Sequence, residues 1–103
     1  MRRNAIDSEA MSRNVEDALG TLKSLANRRR LMIMCLLAEG ESSVTALSER
    51  IGVSRSVLSQ HLAILRQQGL VATRRDAQTV YYSLVDSPAL EIVELLHDRL
   101  CRR

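Results

Sequence analysis

The sequence predicts a mainly α-helical domain that carries one small β-hairpin. Three observations support this: apolar residues recur at helical spacing along most of the chain, two short runs of strand formers flank a polar segment late in it, and glycines or capping residues punctuate the joins. At 103 residues the chain has the size of one small domain. The core of such a domain is modest, and pairing with a second copy adds burial. Apolar residues make up 46% of the chain, too many for a disordered segment.

The elements follow in order. Residues 1–10 are polar and irregular and are read as a loose arm, ahead of a domain over residues 11–103. Met11, Val15, Ala18, Leu19, Leu22 and Leu25 give a first helix from Met11 to Leu25. Asn27 caps a second, Arg28 to Ala38, which is apolar on all sides and therefore central, and Gly40 suits a left-handed cap at its end. Ser43 caps a short third helix, Val44 to Ile51, and Gly52-Val53 makes a tight turn. Ser54 caps a fourth helix, Arg55 to Gln68, with Leu58, Leu62 and Leu65 facing inward and Gly69 ending it. Leu70–Arg74 and Val80–Leu84 form the hairpin around Arg75–Thr79. Asp86-Ser87-Pro88 opens a last helix with the stripe Ala89, Ile92, Val93, Leu96 and Leu100.

Two helices joined by a short glycine turn, the second polar on its outer face, make a helix-turn-helix, and the hairpin after it makes the motif winged. The outer face of the fourth helix carries Arg55, Ser56, Ser59, Gln60, Ala63 and Arg66, types that read base edges and phosphates. Arg74, Arg75 and Gln78 equip the hairpin for a minor groove or for phosphates. The net charge of +3 is a weak signal, but its placement is informative. Five arginines and one acid lie between Arg50 and Val80, whereas Tyr81–Asp98 holds four acids and no cation. With no Trp, no Phe and two Tyr, stacking platforms for single strands are scarce, which favours duplex DNA. A winged-helix protein–protein module is the competing class, disfavoured by that arginine-rich stretch. No catalytic constellation appears, so no enzyme is expected. Met1-Arg2-Arg3-Asn4 is not followed by a signal-like apolar run and no stretch approaches spanning length, which leads to an expectation of a cytoplasmic protein with reduced cysteines and no membrane partner.

The segment Ser54–Leu65 followed by Gly69-Leu70-Val71, together with Leu22–Leu31 and Val80–Leu84, resembles the signature of the ArsR/SmtB winged-helix repressors over nearly all the chain after Met11. The resemblance implies a homodimer joined through the first and last helices, which binds duplex operator DNA and releases it when an inducer binds or reacts. Two metal sites known in that family are broken here. Ser42–Ala46 hold no thiol where one site has cysteines. Asp86 survives from the other, but Pro88, Arg99 and Arg102 occupy its matching positions. No metal ligand and no cofactor is therefore assigned.

Cys35 and Cys101 are the two cysteines, and their positions resemble the dithiol, sulfide- and redox-responsive branch of the family, the group that includes SqrR, BigR and HlyU. That resemblance implies a disulfide or polysulfide link between them, with reactive sulfur species or oxidants as inducer. A metalloid- or metal-responsive repressor using the same thiols, with His97, is the alternative. Cys35 sits in an apolar helix that disfavours its thiolate, while Cys101 has His97 one turn back and Arg99, Arg102 and Arg103 nearby. Cys101 is thus expected to attack and Cys35 to resolve, with His97 as a tuning residue. His61 has two readings, a DNA-backbone contact or packing beside the wing. Arg28-Arg29-Arg30 opposes the helix macrodipole and calls for acidic neighbours or phosphates, unless it is a solvated helix start with Arg30 in an ion pair.

Overall fold

In a computed structural model of the protein, residues 5–101 are described. The elements among them run α1 (Ser8–Arg13), α2 (Val15–Leu25), α3 (Arg28–Glu39), β1 (Ser42–Ser43), α4 (Val44–Ile51), α5 (Arg55–Gln67), β2 (Val71–Asp76), β3 (Thr79–Leu84) and α6 (Pro88–Cys101). The expected architecture, helices with a small antiparallel hairpin in winged helix-turn-helix order, is present.

Side-chain caps define the helix starts. Asn27 Oδ1 accepts from the amides of Arg29 at 3.0 Å and Arg30 at 3.1 Å. Ser43 Oγ accepts from Ala46 N, and Ser54 Oγ from Val57 N. Each such cap contributes about 1 kcal/mol by satisfying an amide that the helix leaves open. Gly52, at φ 81° and ψ 35°, ends α4 in the left-handed region and turns the chain into α5. Gly40 differs from expectation: its φ of 153° and ψ of 164° carry the chain out extended toward β1 instead of folding back in a left-handed cap.

The first helix also differs. It starts at Ser8, where Asp7 Oδ1 accepts from Glu9 N and Ala10 N, and it breaks at Asn14. There the Asn14 side-chain amide donates to the Ala10 carbonyl at 2.8 Å, a local bond that competes with helix continuation. Residues 8–10 of the expected arm are therefore helical, and residues 1–4 lie outside the described residues.

Helix α3 is the hub: it packs against α2, α4, α5, α6 and β3. Ile33 and Met34 from α3 meet Leu47 of α4 and Leu58, Leu62 and Leu65 of α5 in a fully buried core. The sheet has the order β1-β3-β2, all antiparallel. The hairpin pairs Val71 with Leu84 through to Asp76 with Thr79, leaving Ala77-Gln78 as a two-residue tip with Ala77 at φ 55°. The strands are thus longer and the tip shorter than expected. Strand β1 was not expected, and it pairs Ser42 and Ser43 with Tyr82 and Tyr81.

Much of the apolar stripe on α1, α2 and α6 is not in this core. Leu22 is 50%, Leu95 56% and Leu100 63% exposed, and Met11, Val15, Leu19 and Leu96 are exposed as well. Only Leu25, Ala89 and Val93 of those helices' apolar residues are buried. Among the described residues, no helix is long and apolar enough to cross a membrane.

Candidate nucleic-acid interface and thiol cleft

Helix α5 is fixed from below by its three buried leucines and presents Arg55, Ser56, Ser59, Gln60, Ala63 and Arg66 on an exposed face. Arg55 is braced at the start of the helix, where its Nη2 donates to Thr45 Oγ1 of α4. A cleft of about 450 Å³ runs between the start of α4, α5 and the wing, lined by Ser43, Thr45, Arg55, Ser59, Gln78 and Thr79. The fold thus brings together Arg55, Ser59 and Gln78 from the expected set, while Ser56 and Gln60 lie on the exposed face of α5 outside this cleft. Ser43, Thr45 and Thr79 were not anticipated. Their hydroxyls are legible in the sequence only as caps and strand residues, since the cleft forms by long-range packing.

The two wing arginines are in different states, as their alternation along a strand requires. Arg74 makes a two-pronged pair with Glu41, both contacts at 2.8 Å, and its guanidinium sits 4.5 Å from the centre of the Tyr81 ring. The hydrogen bond from Arg74 holds the Glu41 carboxyl below its ordinary pKa. Arg75 is exposed, with no ion pair or side-chain hydrogen bond among the described residues. Arg74 therefore ties the wing to the segment between α3 and β1, and Arg75 and Gln78 are left facing outward.

His61 is half-buried on the flank of α5 and faces α3: Arg30 Nη1 lies 3.4 Å from His61 Nδ1. Burial, then the charges of Arg30 and Arg29, push the imidazole below its ordinary pKa, so it is neutral at pH 7. Among the described residues Arg30 is not in an ion pair. It donates from Nε to the Ser24 carbonyl at 2.7 Å and from Nη2 to the Lys23 carbonyl at 3.2 Å, capping the end of α2.

A second cleft, of about 490 Å³, opens between α3 and α6 and is lined by Cys35, Glu39, Glu94, His97 and Asp98, with Ala38 and Val93. Cys35 is half-buried on α3 and Cys101 is exposed in the last turn of α6; both are free thiols. Burial first, then a thiolate charge on Cys101, then Glu39 push the Cys35 thiol up from its ordinary pKa. The fold thus brings Cys101 within electrostatic reach of Cys35 and sets His97 in the same cleft as Cys35. Glu39 and Glu94 were not anticipated, although Glu39 follows Cys35 by one helical turn. Arg102 and Arg103 lie outside the described residues. Among the described residues, no group of three His, Cys, Asp or Glu side chains gathers in a way that could hold a metal ion.

A braced outward helix, a turn before it and a charged hairpin after it define the winged-helix class of DNA-binding regulators. The family model described as bacterial regulatory protein, arsR family, matches residues 27–73. The transcriptional activator HlyU of Vibrio cholerae is 48% identical over 94 residues, covering 91% of this chain and 87% of that one. The structure of reduced HlyU from that organism superposes with a TM-score of 0.85 over 91% of this chain and 99% of its own. The transcriptional repressor BigR of Xylella fastidiosa superposes with a TM-score of 0.85 at 36% identity, over 95% of this chain and all of its own. A homodimeric winged helix-turn-helix domain from Mycobacterium bovis is 30% identical with a TM-score of 0.75, over 93% and 87% of the two chains. The chain belongs to the arsR family of bacterial regulatory proteins. These relatives are transcription regulators, not enzymes, in agreement with the sequence reading.

Proposed function

We propose that the protein is a homodimeric repressor that binds duplex operator DNA through α5 and the wing, and that linking Cys35 to Cys101 releases it. The observation that carries this reading is the placement of the two thiols: one on the hub helix α3, the other on the last turn of α6, close enough for the charge of one to bear on the other. The assembly is supported by the exposed apolar residues of α1, α2 and α6, among them Leu22, Leu95 and Leu100. A cleft of about 320 Å³ between those helices, walled by Met11, Ala18 and Ile92, extends the same face. A second copy covers this surface; the similar winged-helix domain from Mycobacterium bovis is itself homodimeric.

The unequal environments of the thiols set the order of events. Cys101 is exposed and attacks first; Cys35, with its thiolate disfavoured, resolves. With an organic disulfide as oxidant, the Cys101 thiolate attacks one sulfur and expels a thiolate. Cys35 then loses its proton and attacks the mixed disulfide, expelling the second thiolate. The protein gives up two electrons and two protons, and the reagent leaves as two thiols. An organic polysulfide reacts in the same sense and can leave sulfur atoms between the two cysteines. The link joins α6, on the dimer surface, to α3, against which α4 and α5 pack, so it bears on how two recognition helices are spaced. At the interface itself, Gln60 and Ser59 read base edges, and Arg55, Arg75 and Gln78 take phosphates or the groove edge.

Intact-mass measurement of the full chain after exposure to an organic disulfide or polysulfide tests the chemistry. The expected product is one intramolecular link, short of two hydrogens and either unchanged otherwise or enlarged by whole sulfur atoms, and absent from Cys35→Ser and Cys101→Ser. A product in which each cysteine carries its own adduct contradicts the proposal.

A further inference from the structure

Helix α3 begins with Arg28, Arg29 and Arg30 and has no acid in its first turn. Charges of that sign oppose the positive end of the helix dipole, so the arrangement works against the fold unless an anion arrives. Arg30 is accounted for by the carbonyls of Ser24 and Lys23. Arg28 and Arg29 are exposed and make no side-chain hydrogen bond or ion pair among the described residues. Together with Arg50, Gly52 and Val53 they line a cleft of about 480 Å³, floored by Met32, between the first turns of α3 and the turn that joins α4 to α5. Arg50 has one carboxylate partner, Glu39, at 2.9 Å, in an exposed pair at the opposite end of α3. Two guanidinium groups without an acid partner, those of Arg28 and Arg29, thus stand at one end of the cleft, and Arg50, paired with Glu39, lines the other.

We infer that this cleft, beside the turn that leads into α5, holds backbone phosphates of the operator duplex. The inference rests on the DNA-binding reading above and extends it to a surface beyond α5 and the wing. Two observations favour duplex phosphates as the occupant. Planar guanidinium forks match phosphate oxygens, and those of Arg28 and Arg29 come without an acid that would neutralise them among the described residues. The cleft is also continuous with the recognition helix: its wall Gly52-Val53 leads directly into the Ser54 cap and Arg55. Arg29 is moreover near enough to α5 for its charge to act on His61. The duplex is then gripped by Arg75 on the wing and by Arg28, Arg29 and Arg50 beside the turn into α5.

The test is equilibrium binding of the reduced full-length protein to an operator duplex and to a non-operator duplex of equal length, over a series of salt concentrations. The proteins compared are wild type, Arg28→Gln/Arg29→Gln, each of its single variants, Arg50→Gln, Arg75→Gln and, as a single charge change on α1, Arg13→Gln. Each arginine that holds a phosphate flattens the slope of log K against log salt by about 0.9, so the double variant is expected to lose about 1.8 and Arg50→Gln about 0.9. Both duplexes weaken together and operator preference is retained. Thermal melts of the variants, unchanged or raised because like charges have been removed, exclude misfolding as the cause. A double variant with the wild-type slope, when Arg75→Gln has flattened it, overturns the inference and leaves the DNA-binding reading intact. Inorganic phosphate that raises the melting temperature of wild type but not of the double variant, with the slopes equal, also overturns it in favour of a free-anion site. Wild-type binding that is indifferent to salt overturns both readings.

Discussion

In α5, Leu58, Leu62 and Leu65 are fully buried within the chain, whereas in α6 Leu95, Leu96 and Leu100 stand open, as do Leu19 and Leu22 on α2. Both regions carry apolar residues at helical spacing, and the sequence pattern alone does not separate them. Periodicity says that a face is covered; it does not say whether the cover comes from the same chain or a second one. The recognition region packs its leucines inward so that an exposed polar face is held rigid. The flanking helices leave their leucines open, as the proposed dimer requires. The thiol cleft lies between α3 and α6, with Cys35 in its wall and Cys101 exposed in the last turn of α6.

The largest effects come from confusing the two kinds of leucine. Leu62→Ala is expected to cost about 2–5 kcal/mol of folding stability, because it leaves a cavity in the closed core. Leu100→Ala, on an open surface, is expected to change the stability of a folded monomer by less than about 0.5 kcal/mol while weakening the dimer. Urea melts as a function of protein concentration, with sedimentation, separate these effects. Equal losses from both variants at dilute protein break the contrast.

Within the recognition region, Gln60→Ala is expected to weaken operator binding by about 1–3 kcal/mol and to relax preference at one base pair. Arg75→Gln is expected to weaken all duplexes alike and to flatten the salt slope by about 0.9. Binding to a panel of single-base operator variants distinguishes base reading from phosphate contact. Gln60→Ala with unchanged preference moves the base-reading face elsewhere.

The smallest expected effect is one of pH. The folded pKa of His61 lies below its ordinary value of 6.5, with burial the first cause and Arg30 and Arg29 after it. The stability it contributes is therefore complete above about pH 6.5 and is lost as pH falls below that toward its folded value. Melting temperatures between pH 8 and pH 5 are expected to fall more for wild type than for His61→Gln. An identical fall in both proteins removes His61 from the acid response.

What was legible in the sequence was what local chemistry encodes. Asn27, Ser43 and Ser54 announced three helix starts, Gly52 the turn, and the leucine stripe of α5 the orientation of its polar face. Cys35 in an apolar helix correctly implied a disfavoured thiolate. What escaped depends on partners distant in sequence. Strand β1 is two serines with no pattern of their own, defined by pairing with Tyr81 and Tyr82. The pairing of Arg74 with Glu41, 33 positions away, has no signal in the sequence, where Arg74 is read as a DNA contact. Arg30 promised a carboxylate and found the carbonyls at the end of α2. The break at Asn14 hung on one side-chain bond to the Ala10 carbonyl, which a periodicity reading passes over.

In the proposed switch the two regions are coupled through the thiols, and operator affinity tests that coupling most directly. It is to be measured for wild type, Cys35→Ser and Cys101→Ser, each fully reduced and after treatment with an organic polysulfide. All three reduced proteins are expected to bind the operator with similar affinity. Treatment is expected to weaken wild type by at least about tenfold, which corresponds to about 1.4 kcal/mol, and to leave both serine variants unchanged. Release that persists in both variants contradicts the account, because the switch then lies outside the Cys35–Cys101 pair.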